Sequence, residues 1–129
     1  MISEISNPHF VEILLLEDEP SDAYLVIMAL KEGKVLAHLH HVVDGREGLD
    51  FLNRTEKYAN APRPDLIFLD LNMPRMNGCE FLTAIKADEH FKSIPVVVFD
   101  LRCRKRRSLF LSARCGQLRH QAYRHAAVY

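Results

Sequence analysis

The sequence predicts one α/β domain in which helices cover both faces of a parallel sheet. Short apolar runs alternate with segments whose apolar residues recur at helical spacing, in the order β-α-β-α-β-α-β up to residue 99. Two of the apolar runs end directly in acidic side chains. A length of 129 residues, of which 48% are hydrophobic, is enough for a single core.

The first predicted strand, residues 11–16 (VEILLL), ends in the acidic trio of Glu17, Asp18 and Glu19. Adjacent carboxylates repel one another, so a strand end with this composition favours a cation site over a place in the core. A solvated acidic loop is the alternative interpretation.

A helix is predicted directly after the acidic trio. Pro20 and Ser21 are typical of a first helical turn, and Gly33 is typical of a helix end. One face of this helix carries four residues at helical spacing, namely Leu25, Met28, Ala29 and Glu32.

The second predicted strand covers residues 37–43 and carries three histidines. Because side chains alternate along a strand, His38 and His40 share one face and His41 lies on the other. Surface histidines near a sheet edge and a two-histidine metal site both fit this pattern.

An Asp-Gly pair then predicts a turn, and residues 46–53 (REGLDFLN) predict a short helix with Leu49 and Leu52 facing inward. Residues 55–64 are polar and contain prolines, which indicates a surface loop.

The third predicted strand, residues 66–69 (LIFL), ends on Asp70, and a proline and an Asn-Gly pair then turn the chain. In an open parallel sheet, chemistry lies beyond the carboxyl ends of the strands. Asp70 is therefore either a reactive acid or a cap for the turn.

The last alternating pair is a helix over residues 78–87 and a buried strand over residues 94–99 (IPVVVF). The helix carries Phe81, Leu82 and Ile85 at helical spacing. Right-handed crossovers then place helices on both faces of the sheet.

The doubly wound strand order 2-1-3-4-5 makes strands one and three neighbours at the point where the order reverses. Glu17, Asp18 and Asp70 then converge on one hard cation, and Mg²⁺ prefers such oxygen ligands. A carboxylate beside Mg²⁺ is a competent nucleophile toward phosphorus, and the product is an aspartyl phosphate.

Two motifs resemble those of the receiver domain of two-component response regulators. They are residues 14–20 (LLLEDEP) and 66–78 (LIFLDLNMPRMNG), with residues 94–99 following in the family's order. The long loop before the third strand and the SIPVVV run are similar to single-domain receivers of the bacterial-phytochrome-associated type. The resemblance covers roughly residues 9–99 and implies a flavodoxin-like fold. The tail contains no recognisable fifth strand, so the fifth strand and the last helix of that fold are in doubt.

The resemblance also implies roles for individual residues. Asp70 matches the phosphoacceptor. Glu17 and Asp18 match the acidic pair that binds Mg²⁺, and Asn72 matches the residue whose backbone carbonyl joins the metal. A sensor histidine kinase, of the phytochrome-like kind, would donate the phosphoryl group, and a downstream protein would read the changed surface by protein–protein contact. The family implies a signalling phosphoacceptor and not an enzyme that turns over a substrate.

The resemblance stops after residue 99, so we expect a receiver domain over 1–99 and a non-family basic tail over 100–129. Asp100 takes the place of the Ser or Thr that closes on the phosphoryl group in a receiver, and the family's Lys-Pro pair is absent from the tail. With suitable synonymous codons, the tail back-translates to a sequence whose next reading frame restores both features. We therefore interpret the tail as the product of a frameshift.

The tail holds eight of the 17 basic residues and one of the 17 acidic residues. A basic tail that binds nucleic acid is therefore a less favoured alternative to the frameshift. A degenerate receiver that acts only as a binding module is the alternative to phosphoryl switching.

The three cysteines lack a metal-ligand spacing, and we expect them to be reduced thiols in a cytoplasmic protein. The sequence contains no apolar run of transmembrane length, and a membrane partner is not expected.

Overall fold

The computed structural model describes residues 10–71 and 76–99, together with the backbone of residues 121–123 and 126–128. Helices and strands alternate as predicted, in the order β1 (Val11–Leu16), α1 (Pro20–Glu32), β2 (Ala37–Val42), α2 (Gly45–Asn53), β3 (Leu66–Asp70), α3 (Gly78–Lys86) and β4 (Val96–Phe99). A 3-10 helix (Glu56–Tyr58) lies between α2 and β3, and the short strands β5 (Gln121–Tyr123) and β6 (Ala126–Val128) follow β4.

The strands form one sheet in the order β2-β1-β3-β4-β6-β5. Strands β1 to β4 pair in parallel, which confirms the predicted order 2-1-3-4. Beside β4, at the place of the fifth strand that the tail sequence left in doubt, β6 runs antiparallel and pairs in turn with β5. The strands β5 and β6 have three residues each. Strands this short leave no apolar run in the tail from which they could be predicted. Their pairing gives β4 the backbone partners that an edge strand lacks.

Both faces of the parallel sheet are covered, as its continuous apolar runs predicted. Leu14 and Leu16 of β1 lie in the larger core beneath α2 and α3, and Leu15 lies in a smaller core beneath α1. The predicted inward residues of α3 are fully buried in the larger core, namely Phe81, Leu82 and Ile85.

Helix α2 packs through the predicted residues Leu49 and Leu52, and also through Phe51, which the sequence pattern did not mark. The helix approaches the sheet closely at Gly48. A Cβ at that position would lie 2.7 Å from the Leu16 side chain and 2.9 Å from the ring of Phe81. This close approach fixes α2, and the loop before it, against β1 and α3.

Helix α1 turns a different face inward from the one that helical spacing indicated. Its buried residue is Ala23, and Val26 packs beside it against the core that contains Leu15 and Phe99. Leu25 is 56% exposed, so the face that carries it is turned outward. Apolar residues surround this helix almost completely, and periodicity alone therefore does not select one face.

Cys79 is the one cysteine within the described residues, and it is disulfide-bonded. The expectation of a reduced thiol is therefore wrong for this residue. It rested on the number and spacing of cysteines, which do not determine which sulfur atoms approach one another.

Membrane insertion was not expected from the sequence. Within residues 10–71 and 76–99, no helix has both the length and the apolar character needed to cross a membrane.

Candidate functional site

Three acids meet at the carboxyl ends of two neighbouring strands. Glu17 and Asp18 follow the last residue of β1, and Asp70 is the last residue of β3. The two strands pair with Leu16 opposite Leu69. One carboxylate oxygen from each acid lies within 4.8 Å of the other two. The structure thus brings together the three acids that the sequence predicted to converge.

These acids are removed from solvent to different degrees. Glu17 and Asp70 are 1% and 3% exposed, and Asp18 is half-buried. The Oε1 atom of Glu17 accepts a hydrogen bond from the main-chain N–H of Glu19 at 3.0 Å, whereas Oε2 is buried without a hydrogen-bond partner. A buried, unsatisfied carboxylate oxygen is costly unless another group pairs with it. A divalent cation held by the three carboxylates would pair with this oxygen, so the donor set fits a hard metal ion.

The electrostatics of the cluster lead to the same conclusion. Burial, together with the neighbouring carboxyl groups of Asp70 and Asp18, raises the pKa of Glu17 to about 8, against the opposing effect of the Glu19 main-chain N–H. Without a cation, the cluster therefore favours a protonated Glu17. A bound cation would favour the ionised carboxylate and displace the proton.

The loop after β1 is fixed by contacts with the end of β2. The main-chain N–H of Glu17 donates to the carbonyl oxygen of Val42 at 3.0 Å, and Nε2 of His41 lies 2.6 Å from the carbonyl oxygen of Glu17. At the start of α1, the N–H of Ala23 donates to the carbonyl of Glu19 at 3.0 Å. The alternation of side chains along β2 predicts that His41 lies opposite the other two histidines, but no pattern in the sequence indicates this contact.

Two helix N-termini begin at the same edge of the sheet as the acids. The side chains of Asp44 and Asn77 cap α2 and α3, each accepting from the N–H three residues later at 2.8 and 2.9 Å. The N–H of Gly45 donates to the carbonyl of Met76 at 3.2 Å, which ties the loop after β2 to the segment before α3. Asp44 is 1% exposed, and the sequence had indicated no more than a turn there.

The Asn-Gly pair lies against the end of β3, where a turn was predicted. The N–H of Gly78 donates to the carbonyl of Leu71 at 3.2 Å, and a Cβ on Gly78 would lie 2.6 Å from Leu71 Cα. Asn72 and Asp100 lie outside the described residues, so the roles expected of them stay predictions. The expected position of the family's lysine also lies outside them.

His38 and His40 lie on one face of β2, as predicted, and both contact Glu12 of β1. The distances are 2.8 Å from His38 Nδ1 to Glu12 Oε1 and 2.7 Å from His40 Nε2 to Glu12 Oε2. The hydrogen bonds from His38 and His40 lower the pKa of Glu12. Within residues 10–71 and 76–99, the acidic cluster is the one group of three or more His, Cys, Asp or Glu side chains with metal-ligand spacing, and the group of Glu12, His38 and His40 does not have it. The two histidines are therefore better described as a surface cluster around Glu12 than as metal ligands.

The fold and the acidic cluster define a class of doubly wound α/β proteins with a carboxylate pocket at the switch point of the sheet. The family model of the response regulator receiver domain matches residues 13–104. The chain belongs to this family.

Known relatives agree with this assignment. The response regulator Rcp1 of Synechocystis sp. is 44% identical over 97 residues, which cover 75% of this chain and 65% of Rcp1. This chain therefore spans slightly less than two thirds of that relative. The crystal structure of the phosphorylated cyanobacterial phytochrome response regulator RcpA matches with a TM-score of 0.72 and 39% identity, over 84% of this chain and 76% of RcpA. The Mn²⁺-bound form of Rcp1 matches with a TM-score of 0.70 and 37% identity, over 82% and 76% of the two chains.

Proposed function

We propose that this receiver is a phosphoacceptor in a two-component relay, in which Asp70 takes a phosphoryl group in the presence of Mg²⁺. The observation that carries the proposal is the convergence of the carboxylates of Glu17, Asp18 and Asp70. One oxygen of this group, Glu17 Oε2, is buried and has no hydrogen-bond partner. In this proposal Glu17, Asp18 and Asp70 hold the metal, with the backbone carbonyl of Asn72 as a further ligand.

The chemistry requires little beyond position and charge. An Asp70 carboxylate oxygen forms a bond to phosphorus while the P–N bond of a phosphohistidine breaks, and the bonding electron pair returns to the imidazole. A bound Mg²⁺ would neutralise part of the charge shared by the acids and the phosphoryl oxygens. Asp70 suits the nucleophile because β3 fixes its backbone and the surrounding burial excludes competing water.

The partners follow from the direction of transfer. A sensor histidine kinase would supply the phosphoryl group, and the similarity to phytochrome response regulators favours a phytochrome-like kinase. The altered surface would then bind a downstream protein. Such a relay would operate in the cytoplasm, without a membrane or nucleic-acid partner.

We further propose that residues 1–99 are the receiver and that residues 100–129 are a frameshifted tail. The sequence supports this boundary, because Asp100 stands at the place of the family's Ser or Thr and the tail lacks a Lys-Pro pair. The nucleotide sequence around codons 98–100 tests the frameshift directly.

Asp100 also favours a second candidate function, in which the chain binds a protein partner without phosphoryl switching. An acid at this position would repel phosphoryl oxygens instead of donating a hydrogen bond to them. The two functions differ in whether phosphorylation changes partner binding.

Treatment with acetyl phosphate tests phosphorylation at Asp70. We expect the intact mass to increase by one phosphoryl group with Mg²⁺ and not with EDTA, and we expect Asp70→Asn to remain unmodified. Asp50→Asn is a matched control, because Asp50 is an exposed aspartate on α2. Equal labelling of Asp70→Asn and the parent chain would refute the assignment.

A further inference from the structure

A cavity lies at the end of the sheet opposite the acidic cluster. It has a volume of about 330 Å³ and is lined by residues from the end of α2, the loop before β3 and the loop before β4. In a parallel sheet those positions are the amino ends of the strands, whereas the acids lie at the carboxyl ends. The cavity is therefore separate from the proposed phosphoacceptor site.

Positive charge dominates the lining of this cavity. Arg54, Arg63 and His90 line it, and none of the seven lining residues is acidic. Neither arginine forms a salt bridge with a carboxylate among the residues that the structure describes. Two acids precede His90 in the sequence: Glu89 pairs with Lys92 at 2.8 Å, and Asp88 accepts a hydrogen bond from the main-chain N–H of His90 at 2.7 Å.

Both arginines are exposed residues, and hydrogen bonds to neighbouring oxygens orient their guanidinium groups. Nε of Arg54 donates to the carbonyl oxygen of Ala61 at 2.8 Å. Nη1 of Arg63 donates to the carbonyl oxygen of His90 at 2.5 Å, and its Nη2 donates to Ser93 Oγ at 3.3 Å. Two positioned guanidinium groups without a carboxylate partner form a ready binding site for an oxyanion.

The remaining wall is apolar. Leu52, Pro64 and Phe91 complete the lining, and Leu52 and Phe91 belong to the main hydrophobic core or pack against it. A cavity of about 300 Å³ is at the small end of the range for organic ligands, and such sites combine apolar walls with a few fixed polar groups.

We propose that this cavity binds a small organic anion that presents a carboxylate or phosphate group to Arg54 and Arg63. The apolar body of the ligand would lie against Leu52 and Phe91. The ligand would therefore be larger than inorganic phosphate and would carry at least one ring or short hydrocarbon segment. This site goes beyond the proposed phosphoacceptor function and does not depend on it.

Titration of the ¹⁵N-labelled full chain with phenyl phosphate and with benzoate tests the proposal and distinguishes the two anionic groups. We expect saturable amide shifts confined to residues 52–54, 63 and 90–93 with at least one of the two probes. Inorganic phosphate should bind more weakly because it lacks the apolar body, and neutral benzyl alcohol should give no saturable shift. Saturable binding of benzyl alcohol, or no saturable shift with either anion, would overturn the proposal.

Substitutions of the two arginines test whether they provide the affinity for the anion. Arg63→Gln and Arg54→Gln should each weaken binding by about tenfold, because each loses a charge-assisted hydrogen bond. Arg46→Gln is the matched control, since Arg46 is exposed like Arg54 and Arg63 but lies at the other end of α2, away from the cavity, and the variant should change affinity less than about twofold. An equal loss in Arg46→Gln would overturn the assignment.

Two further variants separate binding from folding and from the phosphoacceptor site. Arg63→Lys keeps the positive charge and should retain part of the affinity, which a general loss of structure would not allow. Asp70→Asn should bind the anion as well as the parent chain does, because Asp70 lies at the opposite end of the sheet. An Arg63→Lys chain that folds but binds no better than Arg63→Gln would refute the role of the charge.

Discussion

The Nε2 atom of His41 lies 2.6 Å from the main-chain carbonyl oxygen of Glu17. A carbonyl oxygen only accepts hydrogen bonds, so Nε2 carries the proton and donates it. The contact connects the end of β2 to the loop that carries two of the three clustered acids. The position of these acids therefore depends on a side chain that contributes no ligand atom to the cluster.

Replacing His41 should weaken divalent cation binding without removing a ligand. We expect His41→Phe to lower Mg²⁺ affinity by about two- to tenfold, the effect of one net hydrogen bond of about 0.5–1.5 kcal/mol. His41→Gln should retain most of the affinity because an amide N–H₂ also donates. Isothermal titration with MgCl₂ measures both variants. Equal affinities for His41→Phe and the parent would show that the contact does not position the site.

The acids themselves should have larger effects. Asp18→Asn and Asp70→Asn should each weaken Mg²⁺ binding by about tenfold or more, because each removes a formal charge from the ligand set. The same titration applies, with Asp50→Asn as the control for a lost surface charge. If both variants bind Mg²⁺ as the parent chain does, the metal site is assigned to the wrong residues.

The raised pKa of Glu17 predicts that the stability of the metal-free protein, kept so by EDTA, depends on pH. The Glu17 pKa of about 8 in the folded state lies above its ordinary value of 4.5, so the folded chain retains a proton that the unfolded chain releases. Stability should therefore decline as the pH rises from about 4.5 to about 8. Urea unfolding should show this decline in the parent and a smaller one in Glu17→Gln. Saturating Mg²⁺ should also reduce it, because a cation favours the ionised carboxylate. Parallel curves for parent and variant would contradict the assignment.

The sequence could predict the four parallel strands and the three acids because each depends on local signals. An apolar run that ends in Asp70 indicates both a buried strand and the edge at which it ends. Neighbouring strands in the doubly wound order then bring Glu17 and Asp18 toward Asp70 without further information.

Other features depend on contacts between segments that are distant in the sequence. The bond from Arg63 to the His90 carbonyl spans 27 residues, and no local pattern indicates it. The inward face of α1 is set by the fit of Ala23 and Val26 against the sheet, which an almost uniformly apolar helix does not reveal. The antiparallel β6 is too short for a periodic signal.

The close approach of α2 to the sheet predicts that alanine lowers the stability of the fold at Gly48 but not at Gly33. Gly48→Ala should destabilise the fold by about 1–3 kcal/mol, because the new methyl group would lie 2.7 Å from Leu16 and overpack the core. Gly33→Ala is the control, since its nearest contact would be 3.4 Å and its φ is −75°. It should leave stability unchanged or slightly higher. Equal urea midpoints for the two variants would indicate that α2 can move away from Leu16 at little cost.

The tail should make this chain a poor switch even when Asp70 is phosphorylated. A phosphoryl group adds about −1.5 to −2 charge at neutral pH, next to Glu17 and Asp18. In the family a lysine offsets part of that charge, and a Ser or Thr donates a hydrogen bond to the phosphoryl oxygens. From the resemblance we expect that this sequence lacks the matching lysine and that Asp100 takes the place of the hydroxyl residue. Both losses raise the free energy of the phosphorylated state more than that of the free state, so the population shift that carries a signal should shrink.

A comparison with a chain whose tail is restored to the shifted reading frame tests this argument. Both chains receive acetyl phosphate and Mg²⁺, and intact mass gives the phosphorylated fraction while amide hydrogen exchange reports the conformational change. We expect the restored chain to show a larger change in exchange at matched phosphorylation, because its lysine and its serine stabilise the phosphorylated state selectively. Asp70→Asn in the restored chain is the control and should show no change. Equal responses of the two chains at matched phosphorylation would mean that the altered tail leaves the switch intact, since the lost lysine and hydroxyl groups would then contribute nothing to the difference between the two states.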